Sequence, residues 1–137
     1  MTTIKYINSA EHIVHSQLSG FFVDWPTHPS NERFLEILQA SHGVALALDA
    51  STNQVVGCIN VISDGIFAGY IPLLEVLPEY QGHGIGKKLI DLIIARYKSL
   101  HMLDVCCDES VEQFYDSKKF IKVSGMVRRN YNRQNAT

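Results

Sequence analysis

The chain has 137 residues, of which 46% are hydrophobic, a size and composition typical of one globular domain, so we expect residues 1–137 to form a single domain. Its 12 basic and 14 acidic residues give a net charge of −2, which favours neither a nucleic acid nor an anionic membrane as a partner. No apolar run reaches the roughly 20 residues that span a bilayer, and the first residues lack the pattern of a secretory signal, so we expect a cytoplasmic protein.

The first forty residues predict two short helices separated by an apolar loop. Ser9 precedes apolar residues at helical spacing and a glycine follows them, so residues 9–20 are expected to form a capped helix. Residues 21–29 contain two prolines and are expected to form a loop. Ser30 then caps a second predicted helix, which continues to about residue 40.

The next part of the chain predicts strands. Residues 44–48 and 54–62 are mostly apolar runs joined by a polar turn, a pattern typical of two antiparallel strands. Residues 70–77 form a third apolar run, but Pro72 cannot donate a backbone hydrogen bond. We therefore expect an edge or a bulge at that proline.

The C-terminal half begins with the strongest helical pattern in the sequence, in which Leu89, Ile93 and Tyr97 share one face. The pattern then predicts a strand at 102–107, a short helix at 109–117, and strands at 120–123 and 126–131. The predicted order is ααβββαβαββ, which indicates a mixed α+β fold.

The three cysteines, Cys58, Cys106 and Cys107, cannot all pair, and the adjacent two fall in a predicted strand. We expect reduced thiols in the core. The CxxC and paired His/Cys spacings of metal sites are absent from the sequence, so no bound metal is expected. A catalytic role for Cys106 or Cys107 is disfavoured, because no histidine stands beside either in the sequence to lower its pKa.

A glycine-rich loop at residues 81–86, Gln-Gly-His-Gly-Ile-Gly, lies between a predicted strand and a predicted helix. Glycines allow a ligand to approach the backbone, and the free N–H groups and dipole of a helix N-terminus favour an anion. The loop matches neither of two other phosphate-binding motifs. The dinucleotide motif GxGxxG would need a glycine at position 87, which is Lys87, and the Walker loop would need a glycine and a hydroxyl at positions 81 and 88, which are Gln81 and Lys88. A turn without a ligand remains the alternative, although it would not need three glycines in five residues.

Residues 74–89 resemble the signature of the GNAT N-acetyltransferase superfamily, whose core, [R/Q]-x-x-G-x-[G/A], follows a strand and is matched by residues 81–86. Residues 114–120 resemble the family's F-Y-x-x-x-G-F segment. Two departures are present. Lys119 replaces the usual glycine, and Asp108 stands where the family commonly has an asparagine that contacts the cofactor.

This resemblance implies a mostly antiparallel sheet that is splayed at the cofactor strand. It implies that acetyl-CoA is the co-substrate, without a metal, and that its acetyl group passes to a primary amine of a small molecule or peptide by direct attack. Many members of the family dimerise, so a homodimer is expected. The alternative is a catalytically silent module that senses acyl-CoA.

The resemblance also implies roles for individual residues. The backbone of the strand before the loop would pair with the pantetheine amides, with an N–H near Val76 as the oxyanion donor, and the loop would bind the pyrophosphate. The expected cofactor-binding residues are Leu74, Val76, Gln81, Gly82, His83, Gly84, Ile85, Gly86, Lys87, Asp108 and Phe114.

Tyr115 matches the family's general acid, and its alternative role is that of an aromatic core residue. Glu75 is a candidate base on the cofactor strand, although strand alternation makes it equally able to face solvent, and a bound water could take the proton instead. The first two helices and their connection commonly border the acceptor site in this fold. Phe22, Trp25 and Tyr70 are therefore candidate substrate contacts, with core and loop packing as the alternative.

Overall fold

The computed structural model describes residues 2–137 and contains one six-stranded sheet with three α-helices. The strands are β1 (Ile4–Ile7), β2 (Gly43–Asp49), β3 (Val55–Ser63), β4 (Ala68–Ile71), β5 (Leu74–Val76) and β6 (Met102–Val105), and the α-helices are α1 (Asn31–Ala40), α2 (Ile85–Arg96) and α3 (Glu112–Asp116). Among residues 2–137, no helix is long and apolar enough to cross a membrane.

The sheet is mixed and mostly antiparallel, as expected for the predicted α+β class. Its strand order is β1-β2-β3-β4-β6, and β5 pairs with β3 beyond the end of β4. All pairs are antiparallel except β4 with β6, which run parallel. The strand β1 was not predicted, because four residues are too few to show a clear alternation.

The core lies where α2 packs against the centre of the sheet. Leu89 and Ile93 of this helix are buried, as the helical spacing predicted. Gly57 of β3 allows the close approach, since a Cβ placed there would lie 3.0 Å from Ile85 Cγ2 and 3.1 Å from Leu89 Cδ1. Any larger side chain at residue 57 would therefore push α2 away from the sheet.

The irregularity predicted at Pro72 is confirmed as a break between β4 and β5, and a buried polar side chain supports it. The side chain of Asn60 accepts the N–H of Leu73 at 3.0 Å and donates to Ser41 Oγ at 3.0 Å. Because an unpaired buried N–H is costly, the bulged backbone depends on this amide. The break allows β5 to separate from β6 while both β4 and β5 stay paired with β3.

The predicted helix over residues 9–20 is wrong. Ser9 accepts the N–H of Glu11 at 3.1 Å and so forms a local turn instead of a helix cap. Val14 then has an extended backbone, and only His15–Leu18 are helical, as a 3₁₀ turn. The second predicted helix is confirmed, with Ser30 accepting a first-turn N–H of α1 at 3.1 Å.

The two strands predicted at 120–123 and 126–131 are also wrong. These residues are largely exposed and belong to no sheet, and Tyr131, the last of them, begins a 3₁₀ turn, Tyr131–Arg133. A strand requires a hydrogen-bonded neighbour, and a sequence with the right alternation does not supply one by itself.

The cysteine expectation is confirmed in part. All three thiols are free, and Cys58 is buried in β3. Cys106 and Cys107 are exposed, so their expected burial in a core strand is wrong. The reason is that β6 ends at Val105, where the chain leaves the sheet at the splay.

Candidate active site

A cleft of about 670 Å³ opens where the sheet splays, because β6 pairs with β4 and not with β5. One wall is β5 with the residues around it, and the other is the chain that follows β6 together with α3. The lining residues are Ile71 to Val76, Pro78 and Gln81 on the first wall, Val105 to Asp108, Val111 and Tyr115 on the second, and Val23, Asp24, Trp25, Val127 and Arg129 around them.

The backbone of β5 has one paired edge and one edge that faces this cleft. Leu77 donates its N–H to β3 at 2.8 Å. Since backbone groups alternate in direction along a strand, the N–H groups of Leu74 and Val76 point away from β3, toward the cleft. The carbonyl of Val76 also faces that way, where it accepts the side-chain amide of Gln81 at 2.9 Å. An extended chain with amide groups could therefore pair with this edge.

The glycine-rich loop ends at the N-terminus of α2. Gly82 and Gly84 have φ of 81° and 83°, which strongly favours glycine, and a Cβ added to either would meet no atom within 4 Å. The first intrahelical bond joins the Lys88 N–H to the Gly84 carbonyl at 3.0 Å, so the N–H groups of residues 85–87 have no partner within the helix. The loop is thus an open set of backbone N–H donors, and this chemistry fits an anion such as a phosphate group.

The side chains of this loop differ in what they can offer an anion. Lys87 is exposed, whereas the Lys88 ammonium lies 6.0 Å from the centre of the Tyr6 ring, over β1. His83 is exposed, with its Nδ1 3.3 Å from the Tyr80 carbonyl. Lys87 is therefore the lysine that remains available to a ligand of the loop.

A hydrogen-bonded carboxylate anchors the segment before the loop. The Tyr80 hydroxyl donates to Asp49 Oδ2 at 2.7 Å, and the Ser51 hydroxyl donates to Oδ1 at 2.6 Å. These two bonds, that from Ser51 first, lower the pKa of Asp49 below its ordinary value of 3.8. Because the folded-state pKa is lowered, the stabilisation is present above pH 3.8 and is lost as the pH falls further. The sequence analysis missed this anchor, since Asp49-Ala50-Ser51 has the composition of an ordinary turn.

Tyr115 lies on the cleft wall opposite β5 and is 8% exposed. Its ring makes edge contacts with Phe114 and Phe120, at 5.1 and 5.5 Å between centroids. No hydrogen bond to its hydroxyl occurs within residues 2–137, and the same part of the chain has no fully buried polar side-chain atom without a partner. The hydroxyl is therefore open to the cleft.

Burial raises the pKa of Tyr115 to about 12, and the nearby Cys107 thiol adds to the increase. A tyrosine with a raised pKa stays protonated throughout the neutral range, so its hydroxyl is a proton donor there. Its neutral form also stabilises the fold below the ordinary tyrosine pKa of 10.0, and this contribution is lost as the pH rises through about 12.

Glu75, the candidate base, lies on the cleft wall and contacts the loop that follows the first 3₁₀ turn. Its two carboxylate oxygens accept the N–H groups of Phe22 at 3.0 Å and Val23 at 3.3 Å. Phe22 has a φ of 62°, an uncommon conformation for an aromatic residue, and these bonds help to hold it. The carboxylate thus links the cofactor strand to the loop over residues 21–29 and keeps further lone pairs free.

The three aromatic residues expected at the acceptor site have different environments. Trp25 is exposed and lines the cleft. Phe22 is buried, with its ring 4.8 Å from that of Phe34 and 4.9 Å from that of Trp25, so its side chain belongs to the core. Tyr70 is not among the residues that line the cleft, but it lies beside Cys106, which is; its burial, followed by a hydrogen bond with that thiol, raises its pKa.

The remaining expected cofactor residues are divided between backbone and side-chain positions. Asp108 lines the cleft directly after the two exposed cysteines. Phe114 is half-buried against Tyr115, and the side chain of Ile85 is buried beneath the loop, so only its backbone N–H can reach a ligand.

Several cleft residues were not predicted. Asp24 lies in a loop that contains no motif. The sequence predicts a core position for Cys106 and Cys107 and a strand position for Val127 and Arg129, whereas all four line the cleft. No pattern in the sequence marks them, because the splay of the sheet and the path of the C-terminal segment bring them together. In the described part of the chain, no cluster of three or more His, Cys, Asp or Glu residues is arranged to hold a metal ion.

Comparisons with known proteins agree with this geometry. The chain is similar to a crystal structure from Deinococcus radiodurans R1 of a protein classed as an acetyltransferase, at 34% identity and a TM-score of 0.92 over 98% of this chain and 97% of that one. It is also similar to a GNAT family acetyltransferase from Streptococcus pneumoniae TIGR4, at 27% identity and a TM-score of 0.76 over 93% and 98% of the two chains.

The chain is also similar in sequence to N-alpha-acetyltransferase 30 of Saccharomyces cerevisiae, with 34% identity over 65 residues. The matched residues are 44% of this chain and 37% of the yeast protein. The match thus spans little more than a third of that relative. The profile of the Acetyltransferase (GNAT) family matches residues 10–118, most of the chain. The chain therefore belongs to the GNAT acetyltransferase family.

Proposed function

We propose that this protein is a cytoplasmic N-acetyltransferase that transfers the acetyl group of acetyl-CoA to a primary amine of a small molecule or peptide by direct attack, and that residues 1–137 act as a single domain. The observation that carries the proposal is the cleft itself. An open strand edge and a protonated tyrosine line one space of about 670 Å³, which also reaches Gln81 at the start of the glycine-rich loop. Three free cysteines suit a reducing compartment such as the cytoplasm.

The glycine-rich loop and the strand β5 each suit a different part of the coenzyme. The backbone donors of residues 85–87, with Lys87 and Gln81 beside them, suit the pyrophosphate. The edge of β5 suits the amide-containing pantetheine arm, which would add as a short strand. In this arrangement the thioester carbonyl would lie near the Val76 N–H, which would donate to the oxygen as negative charge develops on it. Asp108 faces the arm from the opposite wall.

The reaction needs a neutral amine and a donor for the departing thiolate. The amine nitrogen forms a bond to the thioester carbon, and the carbon–sulfur bond breaks as the tetrahedral intermediate collapses. Tyr115 supplies a proton to the sulfur and later regains one from solvent. Its raised pKa keeps the donor form fully populated at neutral pH.

Glu75 is proposed to accept the proton of the attacking amine, directly or through one water. Its carboxylate lies in the cleft wall on the strand that would carry the thioester, and its bonds to Phe22 and Val23 fix its orientation. Trp25 and Tyr70, together with Asp24, are proposed to border the acceptor. Phe22 is proposed to act indirectly, because its buried ring anchors in the core the loop that carries Asp24 and Trp25.

Replacing Glu75 with glutamine separates its proposed role as a base from its role in holding the loop over residues 21–29. The amide keeps the size of the side chain but cannot take a proton, so we expect kcat to fall by about 10²-fold, with little change in the KM of the amine. Steady-state kinetics from pH 6 to 10 provide the measurement. A raised KM for the amine with an unchanged kcat would show that the carboxylate only holds the loop.

The acceptor can be identified with a panel of amines and acetyl-CoA, monitored by the release of free thiol. The panel should contain polyamines, amino sugars and short peptides with free N-termini, since one relative is named an N-alpha-acetyltransferase. We expect turnover with a primary amine and none with its N-acetylated form. Tight binding of acetyl-CoA without turnover on any amine would favour the silent acyl-CoA sensor instead.

A further inference from the structure

The turn over residues 22–25 presents two neighbouring side chains to the cleft. Trp25 donates its N–H to the Phe22 carbonyl at 3.1 Å, which closes the turn. Asp24, inside the turn, has a φ of 68°, which is uncommon for a residue other than glycine. Asp24 and Trp25 are both exposed and both line the cleft. A strained turn at the wall of a cleft indicates a functional constraint on its side chains.

The cofactor strand holds this turn in place. Glu75 of β5 accepts the N–H groups of Phe22 at 3.0 Å and Val23 at 3.3 Å, and the Phe22 ring packs 4.8 Å from that of Phe34 in the core. Asp24 directly follows the second of these bonded groups. Because consecutive Cα atoms lie about 3.8 Å apart, Asp24 is held close to Glu75, the proposed base.

The carboxylate of Asp24 has no partner in the described protein. Among residues 2–137, its oxygens take part in no ion pair and accept no hydrogen bond. Arg129 also lines the cleft, but it forms no ion pair with Asp24 and lies near Tyr70 of β4. The negative charge of Asp24 is therefore available to a cationic ligand.

The indole of Trp25 is a second group that attracts a cation. Its ring meets the Phe22 ring at 4.9 Å and 65°, and 41% of the residue stays exposed, so packing covers only part of the indole. An ammonium group beside an aromatic face and a carboxylate is attracted by both. The charges of the lining agree, since it contains three carboxylates and one guanidinium, those of Asp24, Glu75, Asp108 and Arg129.

We propose that Asp24 and Trp25 bind a second ammonium group of the acceptor, so that the preferred substrate is a diamine. This inference rests on the proposed acetyltransferase function. The amine that reacts lies neutral beside Glu75, whereas the distal amine stays protonated against the Asp24 carboxylate and the indole. A monoamine lacks the distal contacts. Asp24 is then a residue that determines specificity and takes no part in the transfer of the acetyl group.

Putrescine and butylamine test the proposal, because they have the same number of carbons and differ in the second amine. Wild type should acetylate putrescine with a kcat/KM at least about tenfold higher, and salt should reduce this preference. Asp24→Asn keeps the size of the side chain, and asparagine also tolerates a positive φ, so the turn should remain folded. In this variant the preference should fall to about twofold, the factor expected from two equivalent amines.

Asp104→Asn is the matched control, because Asp104 is exposed on β6 and does not line the cleft. It should keep the preference of the wild type. Equal kcat/KM for the two amines in wild type, or an unchanged preference in Asp24→Asn, would overturn this inference and leave the acetyltransferase proposal intact.

A direct measurement of binding separates this inference from the proposed function. If neither amine is acetylated, the acetyltransferase proposal fails for these amines, and calorimetry of each amine with protein saturated by coenzyme A then decides. Putrescine that binds at least about tenfold more tightly than butylamine, with the difference lost in Asp24→Asn, would support the site. Equal affinities of the two amines for the wild-type protein would contradict it.

Discussion

Removing the hydroxyl of Tyr115, in Tyr115→Phe, is expected to lower turnover by about 10²–10⁴-fold, the usual contribution of a general acid, while acetyl-CoA affinity changes little. The ring contacts with Phe114 and Phe120 remain, and the hydroxyl has no hydrogen-bond partner to lose among residues 2–137. Thermal unfolding should therefore be nearly unchanged. Because the pKa of Tyr115 is raised to about 12, the loss should be uniform from pH 6 to 10 and should not alter the shape of the profile.

Tyr97→Phe is the matched control, since Tyr97 is also buried but its hydroxyl lies 2.8 Å from His42 Nδ1, on a side of the molecule away from the cleft lining. This variant should lose about 1 kcal/mol of stability and keep its turnover. If Tyr115→Phe instead turns over at nearly the wild-type rate, the tyrosine is a packing residue and another group protonates the thiolate.

Replacing Gly84 with asparagine is expected to weaken acetyl-CoA binding by about 10- to 100-fold, which corresponds to one lost charge-assisted hydrogen bond. Asparagine tolerates a positive φ better than other side chains, so the backbone strain is small. The space into which the new side chain would project contains no protein atom within 4 Å of the Cβ. The side chain would thus displace the pyrophosphate and leave the core intact. Isothermal titration calorimetry measures the affinity.

Gly65→Asn provides the matched control for strain. Gly65 has a similar φ of 75° and lies in a turn separate from the loop over residues 81–86, although a Cβ there would lie 2.8 Å from Nε2 of His42, whose ring must turn aside. The Gly65→Asn protein should bind acetyl-CoA with the same affinity as the wild-type protein. If the Gly84→Asn and wild-type proteins bind acetyl-CoA with equal affinity, the pyrophosphate does not bind at this loop.

Local patterns in the sequence predicted much of the fold. The capping serine of α1, the helical spacing in α2 and the alternation of β2 and β3 are each encoded within about ten residues, and the structure contains all of them. The errors concern elements that depend on distant partners. The apolar residues at 120–131 have a strand pattern without a neighbouring strand, and Ser9 makes a turn where its side chain could also have capped a helix.

The same distinction applies to the site. The glycine-rich loop could be predicted because its chemistry lies in consecutive residues. The contacts that position it could not, because Asp49 is far from Tyr80 in the sequence and Asn60 is far from the bulge at Leu73. A polar residue within an apolar strand, such as Asn60, was the available signal for a buried support of this kind.

Transfer of a labelled acetyl group tests the central claim most directly. The protein is mixed with acetyl-CoA that carries ¹³C in the acetyl carbonyl and with an amine from the panel, and the products are followed by nuclear magnetic resonance together with the free thiol. We expect the label to appear in the amide of the acceptor, one for each thiol released, at a rate that Tyr115→Phe lowers by about 10²–10⁴-fold. Label that stays in bound acetyl-CoA with every amine, or that appears only in acetate, would contradict the proposed N-acetyltransferase activity.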